Sequence, residues 1–530
     1  MSALPGSVPV PSSPAGPPPG GGPRLAGLPG LGHVLPARLR AALPGPQTAV
    51  VELVAGLVTA LALIPETISF SVVAGVDPAV GLLTSFIISV VIAFTGGRPA
   101  MISAAAGSMA LVAAPLVHRH GFQYLLVTTI SVGALMFVLG LAGVAKLIRF
   151  VPRTVMIGFV NALAILIFTA QMPHIFKHGW HIYPLVAGGL FILITLPLLT
   201  KVVPGPLVAV AVLTLVTTTF HIHAPTVGDE GKLPTGLPHP TLPHVPATWE
   251  TVRICLPYVL ALTAVGLLET LLTAQIIDKM TDTKHNPNRE AWGLGLANLA
   301  SGLFGGMGGC AMIGQAILNV STGGRRRLST FAAGGFLFLL VLPLRCVVRV
   351  IPMSALATVM VVVAVMTFDW NSVAPATLRR VPVSETLLMV ATVAVVVPTH
   401  NLAYGVVVGV VLAALLFTRK AARLVNVTSV LDPDGSEVIY AVQGPLFFAS
   451  TNDLVTAFGY HRDPPRVVID LSDADVLDSA AATALDDVVH RYRDQGHRAQ
   501  IVGVNHASVA MMSTVRPDPP AAAAPAAEPG

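Results

Sequence analysis

Residues 62–70 read ALIPETISF, inside an apolar run from Leu53 to Val76 that is long enough to cross a bilayer. Two residues conflict with lipid. Pro65 has no backbone N–H to give a helix, and Glu66 puts a carboxylate where an uncompensated charge costs about 3 kcal/mol or more. An ionisable residue inside a span is read first as functional. The stretch therefore predicts a helix broken at Pro65, with Glu66 turned toward a central cavity. The structural alternative is that Glu66 caps backbone groups that Pro65 frees.

The rest of the chain sets this run in context. Of 530 residues, 54% are hydrophobic and 11% charged, with a mean hydropathy of +0.76. A soluble domain is about 25% charged, so this composition marks an integral membrane protein. Fourteen spans are expected, near 48–74, 80–95, 99–117, 124–146, 154–171, 183–200, 203–220, 253–277, 292–305, 310–321, 329–345, 351–368, 383–399 and 402–418. The two near residue 300 are too short to cross alone. With the N-terminus inside, 18 Lys and Arg fall on the cytoplasmic side and 6 outside. The positive-inside rule thus predicts that both termini are cytoplasmic, and the plasma membrane is the expected location.

Outside the spans the composition changes. Residues 1–46 and 516–530 are rich in Pro, Gly and Ala and are expected to be disordered cytoplasmic tails, without the pattern of a signal peptide. After the membrane region (47–420), residues 425–515 alternate as strands in EVIYAVQGPLFFAS, RVVIDLSDADVLDS and RAQIVGVN. Helical patterning over 452–460, 479–495 and 506–514 makes this a small α/β domain. Cys255, Cys310 and Cys346 read as small packing residues with no disulfide or zinc spacing. The outer loop 221–252 holds His221, His223, His239 and His244 without regular ligand spacing. No nucleophile–base pair, cofactor loop or metal motif suggests an enzyme, and the basic residues sit in short loops that do not point to nucleic acid.

Glu66 has a counterpart. Residues 264–277, AVGLLETLLTAQII, carry Glu269 near the middle of span 8, the place equivalent to span 1 if fourteen spans form two repeats of seven. Seven is odd, so the repeats must be inverted. Span 3, GGRPAMISAAAGSMALV (96–112), and span 10, GGMGGCAMIGQAILNV (305–320), both open on a glycine pair and small residues. Gly107 follows Glu66 by 41 positions and Gly314 follows Glu269 by 45. Gly-interrupted segments at matching places in two halves point to a transport site between half-helices. Half-helix N-termini carry unpaired N–H groups and about half a positive charge, so they can hold a small anion without arginine. An anion beside a carboxylate requires a proton on Glu269 or a cation between them. Thr273, one turn after Glu269, adds an oxygen suited to Na⁺. Anion symport with H⁺ or Na⁺ follows, and the residues leave that choice open. The competing classes are an anion channel or motor-like protein and a nucleobase permease.

These residues resemble the sulfate permease family of anion transporters. The resemblance is carried by ALIPETISFSVVAGVDPAVGLLTS, GLLETLLTAQIIDKMTDTKHNPNREAWGLGLANLASGLFGG and NVSTGGRRRLS, covers about 47–515, and includes a C-terminal piece similar to a STAS domain. It implies an α-helical membrane protein whose 14 segments form a 7+7 inverted repeat with a mobile core and a gate, acting as a homodimer. By resemblance, Glu66 and Thr67 supply span 1 of the substrate site, Ala106, Gly107 and Ser108 span 3, and Met312, Ile313, Gly314 and Gln315 span 10. Glu269 and Thr273 form the coupling site in span 8, where Na⁺ would sit. Many relatives have arginine where this chain has Gln315, which makes a dianion harder to hold. GGCAMIGQ resembles the branch nearer Na⁺-dependent bicarbonate transporters, so bicarbonate is expected over sulfate, with H⁺-coupled sulfate or dicarboxylate transport, a channel or an exchanger as alternatives. In the STAS-like piece, Ala480 takes the phosphoacceptor place, with Ser479 before it, so a dimer contact or a cytoplasmic regulator is expected there instead of phosphorylation.

Overall fold

The computed structural model of the protein describes residues 45–146, 151–176, 179–199, 204–233 and 239–513. The tails expected over 1–46 and 516–530 lie outside these residues, apart from Gly45 and Pro46.

In lipid an apolar segment must satisfy its own backbone, which makes it helical. Fourteen helices match the fourteen expected spans. The first seven are α1 (Pro46–Ala74), α2 (Pro78–Thr95), α3 (Gly107–His120), α4 (Phe122–Leu141), α5 (Arg153–Phe176), α6 (Ile182–Leu199) and α7 (Gly205–Thr219). The second seven are α8 (Trp249–Thr281), α9 (Pro287–Leu303), α10 (Ile313–Ser321), α11 (Arg327–Arg349), α12 (Met353–Thr367), α13 (Val383–Thr399) and α14 (Leu402–Ala422). Among the described residues, seven helices are long and apolar enough to cross on their own, and stretches of α7, α11, α12 and α13 are apolar but shorter. The remaining three, α3, α9 and α10, surround the centre of the fold. α10 has 9 residues, about 14 Å of helix against a hydrocarbon core of about 30 Å.

The helices pack as two interleaved bundles. In one, α4 lies along α9, and α2 packs on α9 and α11. In the other, α5 contacts α12 and α13, α7 packs on α6 and α12, and α14 packs on α13. Glycine sets the closest approach: a Cβ on Gly133 would stand 2.4 Å from the Leu299 amide nitrogen, and one on Gly295 2.4 Å from that of Phe137. Bringing backbones this close is how helices gain dispersion energy where no hydrophobic effect drives them together.

Two expectations need correction. Span 9 is longer than 292–305 suggests, because its first turn is polar: Asn286 caps it by accepting from the Arg289 amide (3.0 Å), and Pro287 is the first helical residue. Pro65 does not break span 1, since α1 runs unbroken through it. The ring removes one backbone donor, while two hydroxyls in the turn after it brace the helix. Thr67 donates to the carbonyls of Leu63 and Ile64, and Ser69 to that of Pro65. Transmembrane helices tolerate proline when such side chains are at hand.

The C-terminal unit is a four-stranded sheet in the order β3–β4–β5–β6, from β3 (Asn426–Leu431), β4 (Glu437–Leu446), β5 (Arg466–Val476) and β6 (Arg498–Val502). β3 and β4 are antiparallel, and β4–β5–β6 are parallel. α15 (Thr451–Thr456), α16 (Ser479–Asp494) and α17 (His506–Met512) complete it. Inward residues such as Val438, Ile469, Leu485 and Tyr492 form a core of their own. β3 is the one strand the alternation missed, because as an edge strand it is exposed along almost its whole length.

Candidate functional site

The site forms where two membrane helices give way to extended chain. Two short strands, β1 (Ser103–Ala105) and β2 (Gly309–Ala311), precede α3 and α10 and pair antiparallel, Ser103 opposite Ala311 and Ala105 opposite Gly309. The Met312 amide adds a bond to the Ile102 carbonyl (2.9 Å). This ribbon joins the repeats and sends the two half-helices off in opposite directions.

Extended backbone inside a membrane must find partners, and each repeat supplies them from its second helix. In the first, Ser89 of α2 donates to the Ser103 carbonyl (2.8 Å), and Ser85 accepts from the Ala105 amide (3.1 Å). In the second, Asn298 of α9 holds both backbone groups of Gly309, at 2.8 and 3.0 Å. Thr270, beside Glu269, accepts from the Ala311 amide (3.0 Å).

Both half-helices begin uncapped. The residues before their first turns are Ala106 and Met312, in extended conformation, and no side chain caps either end. Each first turn therefore offers backbone N–H groups and the positive end of a helix dipole to whatever lies beside it. Gly107 starts α3 flush against Phe70 of α1; a Cβ there would be 2.7 Å from the ring. Gly314, in the first turn of α10, has nothing within 4 Å of its Cβ position. That turn borders open space.

A carboxylate stands at each start, and each comes from the opposite repeat. Glu269 of α8 accepts hydrogen bonds from the Ser108 hydroxyl, in the first turn of α3, and from the Cys310 thiol (3.2 Å) of β2. Glu66 of α1 accepts from Nε2 of Gln315 (2.9 Å), in the first turn of α10. Both carboxylates are buried, at 7% exposure each, and among the described residues neither has a cationic partner. Gln315 Oε1 is buried with no hydrogen-bond partner.

The predicted residues thus divide. Glu66 meets Gln315 and Glu269 meets Ser108, as two separate pairs, and Ala106, Gly107, Met312, Ile313 and Gly314 form the half-helix starts. The two threonines point elsewhere. Thr67 turns back to its own helix, and Thr273 donates to the main-chain carbonyl of Glu269 (2.7 Å), not to its carboxylate. A helical threonine has a carbonyl one turn back always in reach, which competes with more distant partners. Glu66 does not cap the backbone near Pro65; its partner is Gln315. Cys310, read as a packing residue, lies in the site, and its place after a glycine pair in a short span was the available signal. Asn298, Thr270 and Phe70 were also missed.

Comparison with known proteins agrees with this architecture. Residues 50–186 and 176–392 match the sulfate permease family. The chain belongs to the sulfate permease family. Residues 427–515 match the STAS domain. This sulfate permease family member is 51% identical over 461 residues to "Putative sulfate transporter YbaR" of Bacillus subtilis (strain 168), covering 87% of this chain and 96% of that protein. It is 25% identical over 505 residues to the bicarbonate transporter BicA of Picosynechococcus sp., covering 85% and 88%. Its fold matches the murine Solute Carrier 26 family member A9 anion transporter in the inward-facing state, with a TM-score of 0.77 at 16% identity over 89% of this chain and 88% of that one. The protein is a helical membrane transporter with a C-terminal α/β STAS domain, its 14 segments arranged as a 7+7 inverted repeat in core and gate bundles. It is not an enzyme.

Proposed function

We propose that this sulfate permease family protein is a secondary active transporter of a small inorganic anion, with sulfate the preferred cargo and a proton the coupling ion. The anion binds at the uncapped first turns of α3 and α10, lined by Ala106, Gly107, Ser108 and by Met312, Ile313, Gly314 and Gln315. The coupling proton binds at Glu269. One observation carries this reading: a buried carboxyl held, among the described residues, by a hydroxyl and a thiol, beside an uncapped helix start. In its protonated form Glu269 lets an anion approach; ionised, it repels one. The thiol is a soft neighbour for Na⁺, which prefers oxygen donors, and the Thr273 hydroxyl is committed to a backbone carbonyl.

Sulfate is preferred over the expected bicarbonate because the relative at 51% identity is named for sulfate, and the bicarbonate transporters match at 25%. The second reading is Na⁺-coupled bicarbonate uptake. The reading keeps both termini and the STAS domain cytoplasmic, in the plasma membrane, with two copies forming a homodimer, a STAS domain open to a regulator, and domain limits of 47–420 and 425–515.

Labelled uptake into proteoliposomes tests it, with sulfate and bicarbonate each offered under an inward pH gradient or an inward Na⁺ gradient. Proton-driven sulfate accumulation, abolished in Glu269→Gln with the protein still folded and inserted, is the expected result. Bicarbonate uptake that depends on Na⁺ and ignores the pH gradient would establish the second reading instead.

A further inference from the structure

The core bundle, which holds the site, is joined to the gate bundle by three connections. α4 leads into α5 through residues 142–152, α7 into α8 through 220–248, and α11 into α12 through 350–352. Spans alternate in direction, so the first connection lies on one side of the membrane. The other two share the opposite side, the outer one in the reading above. Those two do not cross independently. Thr226 faces Pro352 as an antiparallel pair, the Val227 amide donates to the Ile351 carbonyl (2.9 Å), and the Met353 amide donates to that of Pro225 (2.8 Å). In this pattern the bonds flank the pair, and the facing residues need no N–H between the chains. Proline therefore fits at 352 with no bond lost. The Thr226 amide turns away to Asp229 Oδ2 (2.8 Å), within the capping box of a short helical turn, Val227–Glu230. Val227, Ile351 and Met353 are buried, so opening the pair would strand backbone groups away from water.

Just beyond the pair, the chain is already on the core. A Cβ on Gly228 would stand 2.4 Å from Arg349 Cγ at the end of α11, and one on Gly231 2.2 Å from Asp77 Oδ1 at the start of α2. The Lys232 amide donates to Asp77 Oδ1 (3.2 Å), and the Ala79 amide donates to the Lys232 carbonyl (3.1 Å). The long connection therefore passes from gate to core at the same point as the short one.

We propose that this pair of crossings is the hinge of the transporter. It stays closed through the cycle, and the core swings on the gate about it, so the bundles shift least on this side and most on the side with the single connection. Two chains bonded to each other at one point permit rotation there and resist translation. A lone connection restrains neither. Hinges are a few residues at the ends of elements, which describes 225–227 and 351–353. The sidedness rests on the proposed topology, while the hinge is independent of which anion is carried.

The test locks the pair. Thr226→Cys with Pro352→Cys puts two thiols where facing residues of such a pair stand about 4.5 Å apart at Cα, within disulfide reach. The exposed Cys346 is replaced by serine, and Cys255 and Cys310 are buried. Labelled-sulfate uptake into proteoliposomes is compared in this variant oxidised and reduced with dithiothreitol. Uptake within about twofold in the two forms is the expected result; a larger loss on oxidation overturns the inference. Pulsed electron paramagnetic resonance adds two spin-labelled pairs, each between core and gate. One joins Lys284 to Arg380 on the cytoplasmic side, and the other joins His120 to His221, which lies beside Thr226 and Pro352. All four residues are exposed. Across acid and neutral pH, with and without sulfate or bicarbonate, the first distance should vary at least about twofold more than the second. Comparable variation, or none in either pair, overturns the inference even where the cysteine variant does not transport. Absence of uptake by the native protein would count against the proposed function, and the two distances would still decide the hinge.

Discussion

Among single residues, Gly107 is held by a close contact at the start of a half-helix. Its hydrogen sits where a Cβ would press on Phe70 Cε1 at 2.7 Å, and the half-helix start has to stay there to keep Ser108 on Glu269. Gly107→Ala is expected to lower uptake by about tenfold, roughly the 1.4 kcal/mol that a modest overpacking strain supplies, with normal amounts of protein in the membrane. Combining it with Phe70→Leu should recover most of the loss. A double mutant no better than Gly107→Ala would show that the contact is not what the glycine serves. Glu66 and Glu269 were visible in the sequence because a carboxylate in an apolar run stands out locally. Their partners were not: Gln315 lies 249 residues from Glu66, and Ser108 161 from Glu269. Cys310 was misread for the same reason, since nothing near it in the chain distinguishes a packing thiol from one aimed at a carboxylate 41 residues back.

Among elements, the β1–β2 ribbon is the most exposed to error, because its backbone depends on side chains of α2, α8 and α9. Asn298 satisfies a donor and an acceptor of Gly309 at once, whereas Ser89 serves a single carbonyl. A buried unpaired group costs about 1–3 kcal/mol. Asn298→Ala should therefore destabilise more than Ser89→Ala, and the melting temperatures of the detergent-solubilised variants are expected to fall in that order. Equal melting temperatures would mean that water or relaxation replaces the Asn298 bonds. At the membrane edge, Glu52 is 1% exposed and accepts from three amides at the start of α11. Glu52→Ala should cost about 2 kcal/mol, toward the upper end for loss of an N-terminal cap. Neither Asn298 nor Glu52 drew notice in the sequence. A polar residue near a span end reads as solvated until the structure reveals the backbone it holds.

For the whole molecule, the STAS domain carries its own hydrophobic core, separate from that of the membrane helices. Residues 424–513 produced alone are expected to fold and unfold cooperatively. Tyr440 and Tyr492 of this domain both donate to Asp463, and burial followed by that bond raises both phenol pKa values. In the unfolded chain a tyrosine ionises near pH 10, so the stabilising difference is complete below that pH and is lost as pH rises beyond it. Denaturant titrations of the domain should give a stability that falls above about pH 10, with a shallower fall in Tyr492→Phe. A flat profile would mean the phenols are not coupled to folding.

The sequence by itself determined the number of membrane helices, the two glycine-interrupted spans, the pair of intramembrane carboxylates and the α/β tail, although it also placed at Pro65 a break that the helix does not have. Each of these is written in local composition, since hydropathy, glycine and a lone charge act over one or two turns. Only the tertiary structure decided that each carboxylate serves the half-helix of the other repeat, that Thr67 and Thr273 turn to their own backbones, and that Cys310 and Asn298 belong to the site. Those facts arise from pairing two inverted halves through a three-residue ribbon, a long-range contact that no local pattern encodes.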